Sequence, residues 1–316
     1  MRIPESRFSA APRRRKGSGA VLIIVLSLLV ALVAAVVVFL YRARTPIFPI
    51  ADAEATEDIV ELWNTGQYDG LLDEAEERLD EFPLDETALA LRGFTRFYLA
   101  MQEVNEEQRQ TLLNGTVVDL QRVLLLDEPE MEGEVHYVLG KAFFHRGRFF
   151  YDAAIEKLLI AREMGVHQLD LLEYLALASD ELGRSSDAIA FFREAIEMGD
   201  EAVHKVNLAD ILIEEGRHDE AEELLDDTIE GTSDVVVLQH ALDSLGRSYR
   251  RQERWEDALD AYRRLLEVNE SSVRARFGLG ETYLAMGENN LARYEWREAV
   301  RLDPNHIESL QRLQEY

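Results

Sequence analysis

The alternation of apolar and polar residues near the end of the chain predicts two amphipathic helices joined by a tight turn. Apolar residues recur at helical spacing on both sides of Gly287, which interrupts the pattern. Gly280 and Ala292 place little side chain between the two helices, so their backbones can approach closely. Pro304 cannot continue a helix, so the second helix is expected to end there.

The same hairpin pattern recurs along the chain with a period close to 34 residues. Four turn positions, 183, 216, 253 and 287, follow one another at intervals of 33, 37 and 34 residues, and Glu253 replaces the turn glycine. Weaker copies lie upstream, and one of them has a turn stretched by the segment "MQEVNEEQRQT" at residues 101–111, with the stretched turn itself near 103–111. A hairpin that cannot bury its apolar face alone is stable only when neighbours stack on it, so the pattern predicts a repeat protein.

These copies resemble the tetratricopeptide repeat (TPR). Matching residues in the best copy are Leu279, Gly280, Tyr283, Gly287, Ala292, Trp296, Ala299 and Pro304. The resemblance implies an all-α fold, a right-handed superhelical α-solenoid of about seven TPR-like helical hairpins plus a capping helix. The expected repeats span residues 52–85, 86–131, 133–166, 169–202, 202–235, 239–272 and 273–306. The capping helix is expected at 307–316, with Ile307, Leu310 and Leu313 covering the last repeat.

The first fifty residues belong to a different physical class. Residues 20–41 form an uncharged apolar run of 22 residues, which as a helix spans about 33 Å and exceeds a hydrocarbon core of about 30 Å. The sequence therefore predicts one transmembrane helix at 20–41, between a basic N-terminus (1–19) and a linker (42–51) that leads to the solenoid domain (52–316). The run is longer than a signal-peptide core and lacks an A-x-A motif at its end, which favours retention over cleavage.

Basic residues on either side of this helix predict its orientation. Six Lys or Arg residues precede it and two follow it, so the N-terminus is expected inside the cell and the repeats outside, in the periplasm of a bacterium. The formal charge of the whole chain is −27 and that of residues 1–50 is +7, which leaves −34 for the remainder. Such a domain should repel nucleic acid and anionic lipid headgroups. We interpret the acidic residues mainly as a solubilising coat on exposed helix faces.

Signatures of enzymes are absent from the sequence. The chain has no Walker-type phosphate loop, no nucleophile-elbow serine and no cysteine, and its seven histidines are scattered. No pair of histidines stands at helical spacing beside an acid, as a metal site on a helix would need. We therefore expect no catalytic activity, no cofactor and no metal, and the lack of cysteine excludes disulfides and lipoprotein anchoring.

The resemblance also implies where a partner would bind, because the first helices of TPR hairpins line a concave groove. Arg247, Arg250 and Arg274 would form a basic end of this groove, which either receives an acidic peptide or helix or only neutralises neighbouring Asp and Glu residues. The Lys and Asn that clamp a C-terminal carboxylate in chaperone-binding members are missing at Thr56 and Val60. The full set of expected groove residues is Tyr137, Lys141, Phe144, Leu177, Asp210, Arg247, Arg250, Arg274, Phe277 and Glu281.

The predicted function is that of a membrane-anchored TPR scaffold, which holds a protein partner on the periplasmic side of the bacterial cytoplasmic membrane during assembly of an envelope complex. The partner would place a peptide or a helix in the groove, and self-association into a larger complex stays open. The architecture is similar to single-span repeat proteins of secretion and envelope machines, and to those of the periplasmic flagellar collar of spirochaetes. The alternatives are a structural part of such a collar and a regulatory subunit of an envelope enzyme or secretion translocon.

Overall fold

The computed structural model describes residues 57–199 and 201–316, and within them the chain forms fifteen α-helices, one 3-10 turn and no β-strand. The all-α prediction is therefore confirmed for the described residues. The helices are α1 Glu57–Thr65, α2 Tyr68–Glu81, α3 Glu86–Gln102, α4 Glu106–Val123, α5 Glu132–His145, α6 Tyr151–Glu163, α7 Leu169–Glu181, α8 Ser185–Gly199, α9 Ala202–Glu214, α10 His218–Gly231, α11 Val235–Arg251, α12 Trp255–Val268, α13 Val273–Ala285, α14 Asn289–Leu302 and α15 Ile307–Glu315.

Consecutive helices pair into seven hairpins, from α1–α2 to α13–α14, and α15 packs on α14. We call the odd-numbered members of these pairs the first helices and the even-numbered members the second helices. First helices of most neighbouring hairpins also contact each other, whereas second helices contact mainly first helices. Because the hairpins approach more closely on the first-helix side, that face of the solenoid is concave.

The predicted membrane helix lies outside the described residues, as do the basic N-terminus and the linker. In the part of the chain that the structure describes, no helix is long and apolar enough to cross a lipid bilayer.

Small residues let large side chains fill the space between helices. Trp296 of α14 is completely buried against Gly280 of α13, where an added Cβ would lie 2.4 Å from the indole Nε1. Tyr262 of α12 lies between Gly246 and Gly278 in the same way, with 2.6 Å and 2.4 Å to the added Cβ atoms. These contacts explain why glycine stands at positions in helices where its own propensity is unfavourable.

The tight turns of the hairpins need a left-handed backbone conformation. Glycine supplies it in five of the described turns, for example at Gly287 with a φ of 82°. Glu253 adopts the same conformation with a φ of 59°, although it carries a Cβ. The repeat geometry therefore determines the backbone at this position against the preference of the residue.

Two local expectations differ from the structure. The expected stretched turn at 103–111 is short, because α4 already begins at Glu106, where the side chain of Asn105 accepts a hydrogen bond from the backbone N–H of Gln108. The extra residues lengthen the two helices of this hairpin instead. In α15, Ile307 is 64% exposed rather than covering the last repeat, while Leu310 and Leu313 are half-buried.

Candidate functional site

The candidate site is the concave surface formed by the first helices α5, α7, α9, α11 and α13, which we call the groove. All ten expected groove residues lie on these helices. Most of them contact a side chain on the neighbouring hairpin through a hydrogen bond, an ion pair or a ring contact, and thereby connect one first helix to the next. The residues are Tyr137, Lys141 and Phe144 on α5, Leu177 on α7, Asp210 on α9, Arg247 and Arg250 on α11, and Arg274, Phe277 and Glu281 on α13.

In the N-terminal half of the groove, Lys141 is enclosed by aromatic rings and a carboxylate. Its Nζ lies 4.9 Å, 5.0 Å and 5.5 Å from the ring centres of Tyr137, Tyr174 and Phe97. The same ammonium is 2.6 Å from Oδ2 of Asp170. Tyr137 donates a hydrogen bond of 2.5 Å to Oδ1 of Asp170, and burial together with this bond raises the pKa of Tyr137. These rings and the carboxylate would suit a cation from a partner, but Lys141 of the same chain already occupies the position between them.

Beside this site, aromatic side chains join α5 to α7. Phe144 contacts Tyr174 edge to face at 5.1 Å, and His145 Nε2 lies 2.9 Å from the hydroxyl of Tyr174. Burial, with the nearby charges of Lys141 and Arg109, lowers the pKa of His145 to about 4, so its imidazole is neutral at pH 7. Around Phe144 and Tyr174 this half of the groove therefore offers an aromatic surface in which His145 is uncharged and Lys141 is paired with Asp170.

The centre of the groove contains a polar network around Asp210. His240 Nε2 lies 2.8 Å from Oδ2 of Asp210, Ser244 donates a hydrogen bond of 2.5 Å to Oδ1, and Arg247 pairs with the same carboxylate. Burial alone would raise the pKa of Asp210, but the bond from His240 and the charge of Arg247 outweigh it and hold this pKa below its usual value. Arg247 is thus already neutralised across two hairpins.

At the C-terminal end of the groove, Glu281 is buried between two arginines. Arg312 of α15 binds it through two bonds of 2.8 Å and 2.9 Å, and Arg250 lies 3.6 Å away. Arg274 is exposed and makes no ion pair with any residue that the structure describes, and Phe277 packs against His306 with ring centres 5.4 Å apart. Of the three expected basic residues, Arg274 alone lacks an ion pair within the described residues, although its charge acts on the carboxylate of Asp243.

The partners that neutralise the groove could not be assigned from the sequence. Five residues pair with expected groove residues that lie 29 to 34 positions away: Asp170, Tyr174, His240, Ser244 and Arg312. The signal available in the sequence was the period itself, because residues about one repeat apart lie side by side on neighbouring first helices. No cluster of histidine and acidic residues among the described residues has the arrangement of a metal site.

Comparisons with known proteins agree with this architecture. Family models for the tetratricopeptide repeat match residues 150–203 and 244–307, and residues 200–271. Together the matches run without a gap over half of the chain. No match to a curated protein was found.

Solved structures extend the comparison to most of the chain. The C-terminal part of a TPR repeat-containing protein from Cytophaga hutchinsonii matches with a TM-score of 0.59 at 13% identity, covering 81% of this chain and 98% of that one. The Cut9–Hcn1 hetero-tetramer of APC/C matches with a TM-score of 0.53 at 15% identity, covering 81% of this chain and 47% of that one. A MamA fragment from Desulfovibrio magneticus RS-1 matches with a TM-score of 0.48 at 14% identity over 55% of this chain and 97% of that one. The first two matches establish the fold.

Proposed function

We propose that this chain, which consists of tetratricopeptide repeats over residues 150–307 at least, is a membrane-anchored scaffold that holds a protein partner in its groove. The partner belongs to an envelope complex, and the repeats lie on the periplasmic side of the cytoplasmic membrane of a bacterium. The protein performs no chemistry of its own.

The observation that carries this proposal is the continuous concave surface of first helices. Tetratricopeptide repeats are scaffolds for protein–protein interaction, and solenoids bind partners along such extended surfaces. The groove offers half-buried apolar side chains, including Leu177 and Phe277, between charged groups most of which are already paired. Apolar anchors surrounded by satisfied polar groups are typical of surfaces that bind peptides or helices.

The membrane part of the proposal rests on the sequence before residue 57. The uncharged run at 20–41 is long enough to span a bilayer, and six basic residues precede it against two that follow. The acidic repeat domain, with a formal charge of −34 after residue 50, gives no electrostatic attraction to anionic headgroups. The apolar run would therefore have to supply the attachment.

Protease accessibility tests the orientation. Protease added to intact spheroplasts should digest the repeats, and a reporter that is active only in the periplasm should work when fused after Tyr316. A matched control replaces the four basic residues at 13–16 by Gln, which should reduce the topological bias. Repeats that stay protected until the membrane is dissolved would refute the N-inside orientation.

Capture of the partner tests the role of the groove. We expect Phe277→Ala to weaken recovery of a partner crosslinked in intact membranes by about tenfold, because truncation of an aromatic anchor often costs more than 1 kcal/mol. Arg247 is unsuitable for this test, since its removal would leave Asp210 with fewer partners and disturb the fold. Tyr294→Ala, at an exposed position of the second helix α14, is the matched control. Equal recovery by the Phe277 and Tyr294 variants would contradict binding in the groove.

A further inference from the structure

A small cavity opens in the groove between α7, α9 and α11. Its volume is about 180 Å³, which corresponds to roughly six water molecules or one long side chain. Leu177, Phe192 and Ile211 supply its apolar lining, and Phe192 is completely buried beneath it. The cavity is therefore a recess for one side chain of an occupant of the groove rather than a site for a larger ligand.

The polar rim of this cavity has an excess of negative charge. Asp210 and Arg247 neutralise each other, and Glu214 pairs with Arg251 at 2.5 Å. Asp180 also lines the cavity, is exposed, and forms no ion pair with any residue of the described ranges. Burial and the surrounding carboxylates, Glu181 and Asp210 among them, raise the pKa of Asp180. A positive charge brought to this rim would relieve the repulsion.

We propose that the cavity receives a Lys or Arg side chain from an extended segment of the protein partner, with the cationic head at Asp180 and the aliphatic stem against Leu177 and Ile211. The assignment rests on the proposed function, because it requires that the groove binds a partner. It follows from charge complementarity and from the apolar lining, which suits the methylene stem of a long basic side chain. An acidic side chain would meet the carboxylates of Asp180 and Glu214 instead.

The nearby arginine does not reverse this preference. Arg247 lines the same cavity, but its guanidinium is bound to Asp210, and Asp243 lies 3.8 Å from its Nε. Among the charged residues that line the cavity, Arg247 offsets Asp210 and Arg251 offsets Glu214, so the carboxylate of Asp180 is left without an ion pair within the described residues. The net local charge stays negative, and the partner side chain must be cationic to match it.

Peptide pools measured on the full chain in phosphatidylcholine nanodiscs test this inference. The pools are heptapeptides with the central residue fixed as Lys, Arg, norleucine or Glu, and with all other positions randomised. Norleucine has nearly the shape of lysine without its charge. We expect the Lys and Arg pools to bind about fivefold more tightly than the norleucine pool, and the Glu pool to bind least, since a partly exposed ion pair gives a modest gain.

Two variants separate the rim from the rest of the domain. Asp180→Asn should remove the preference for Lys over norleucine and leave binding of the norleucine pool unchanged, because Asp180 has no partner within the described chain to lose. Glu223→Gln removes the same charge from an exposed position of the second helix α10 and should keep the preference. If the norleucine pool binds the wild-type protein as tightly as the Lys pool does, this inference is overturned, but the proposed function is not. Failure of all four pools to bind would overturn the proposed role of the groove as well.

Discussion

Replacing Gly280 by alanine should destabilise the last hairpin, although alanine favours helices. An added Cβ would lie 2.4 Å from Nε1 and 2.5 Å from Cδ1 of Trp296, closer than side chains tolerate. Trp296 is completely buried, so its indole can move only if the side chains around it move as well. Overpacking of this kind lowers the free energy of unfolding by about 1–3 kcal/mol, and the helix preference of alanine offsets about 1 kcal/mol of that loss. We therefore expect a net loss of up to about 2 kcal/mol.

Gly231→Ala is the matched control for this substitution. Gly231 is the last residue of α10, and an added Cβ there has no neighbouring atom within 4 Å. Without a steric clash only the helix preference remains, so this variant should gain up to about 1 kcal/mol. The same chemical change is thus expected to have opposite signs at the two sites.

Urea denaturation followed by circular dichroism measures the two changes, and hydrogen exchange locates them. Because each repeat contacts only its neighbours, faster exchange in Gly280→Ala should be strongest in α13 and α14 and weak in α3 and α4. A Gly280→Ala variant as stable as wild type would refute the close packing of these helices. Loss of stability in both variants would refute the assignment of the effect to Trp296.

Three further changes test other parts of the molecule. Glu253→Gly should raise the free energy of unfolding by about 0.5–1 kcal/mol in urea, because glycine adopts the φ of 59° without steric cost, and the reverse change Gly287→Glu should lower it. His145→Gln should flatten the pH dependence of thermal melting: the unfolded chain binds this proton at about pH 6.5 and the folded chain only at about pH 4, so wild-type stability should fall as pH decreases between these values. Arg312→Met should leave Glu281 buried without its two-bond partner and speed hydrogen exchange in α15 about tenfold.

The repeat pattern determined most of what could be predicted about the fold. Glycine at a turn and small residues at helix contacts are local signals, and the family matches and the solved structures confirm the repeats that these signals indicated. The segment near Glu106 shows where local signals were insufficient. From the sequence we expected the insertion to lengthen the turn. Asn105 caps a helix there instead, so the added residues extend α3 and α4.

The groove was only partly predictable, because charge pairing across hairpins depends on which carboxylate lies next to each arginine. The sequence left open whether Arg247 and Arg250 bind a partner or neutralise their neighbours. In the structure both are engaged, Arg247 with Asp210 and Arg250 with Glu281. Side-chain direction on two separate helices decides such pairs, and no single segment of the sequence contains that information.

Site-specific photocrosslinking in intact cells tests the central claim, that a protein partner occupies the groove, most directly. A benzophenone side chain would replace Phe277 in the groove or, separately, Tyr294 on the second helix α14, where the native residue is 54% exposed. We predict that the probe at 277 forms a discrete adduct with another protein and that the more exposed probe at 294 does not. A discrete adduct from position 294 with none from position 277 would contradict the claim.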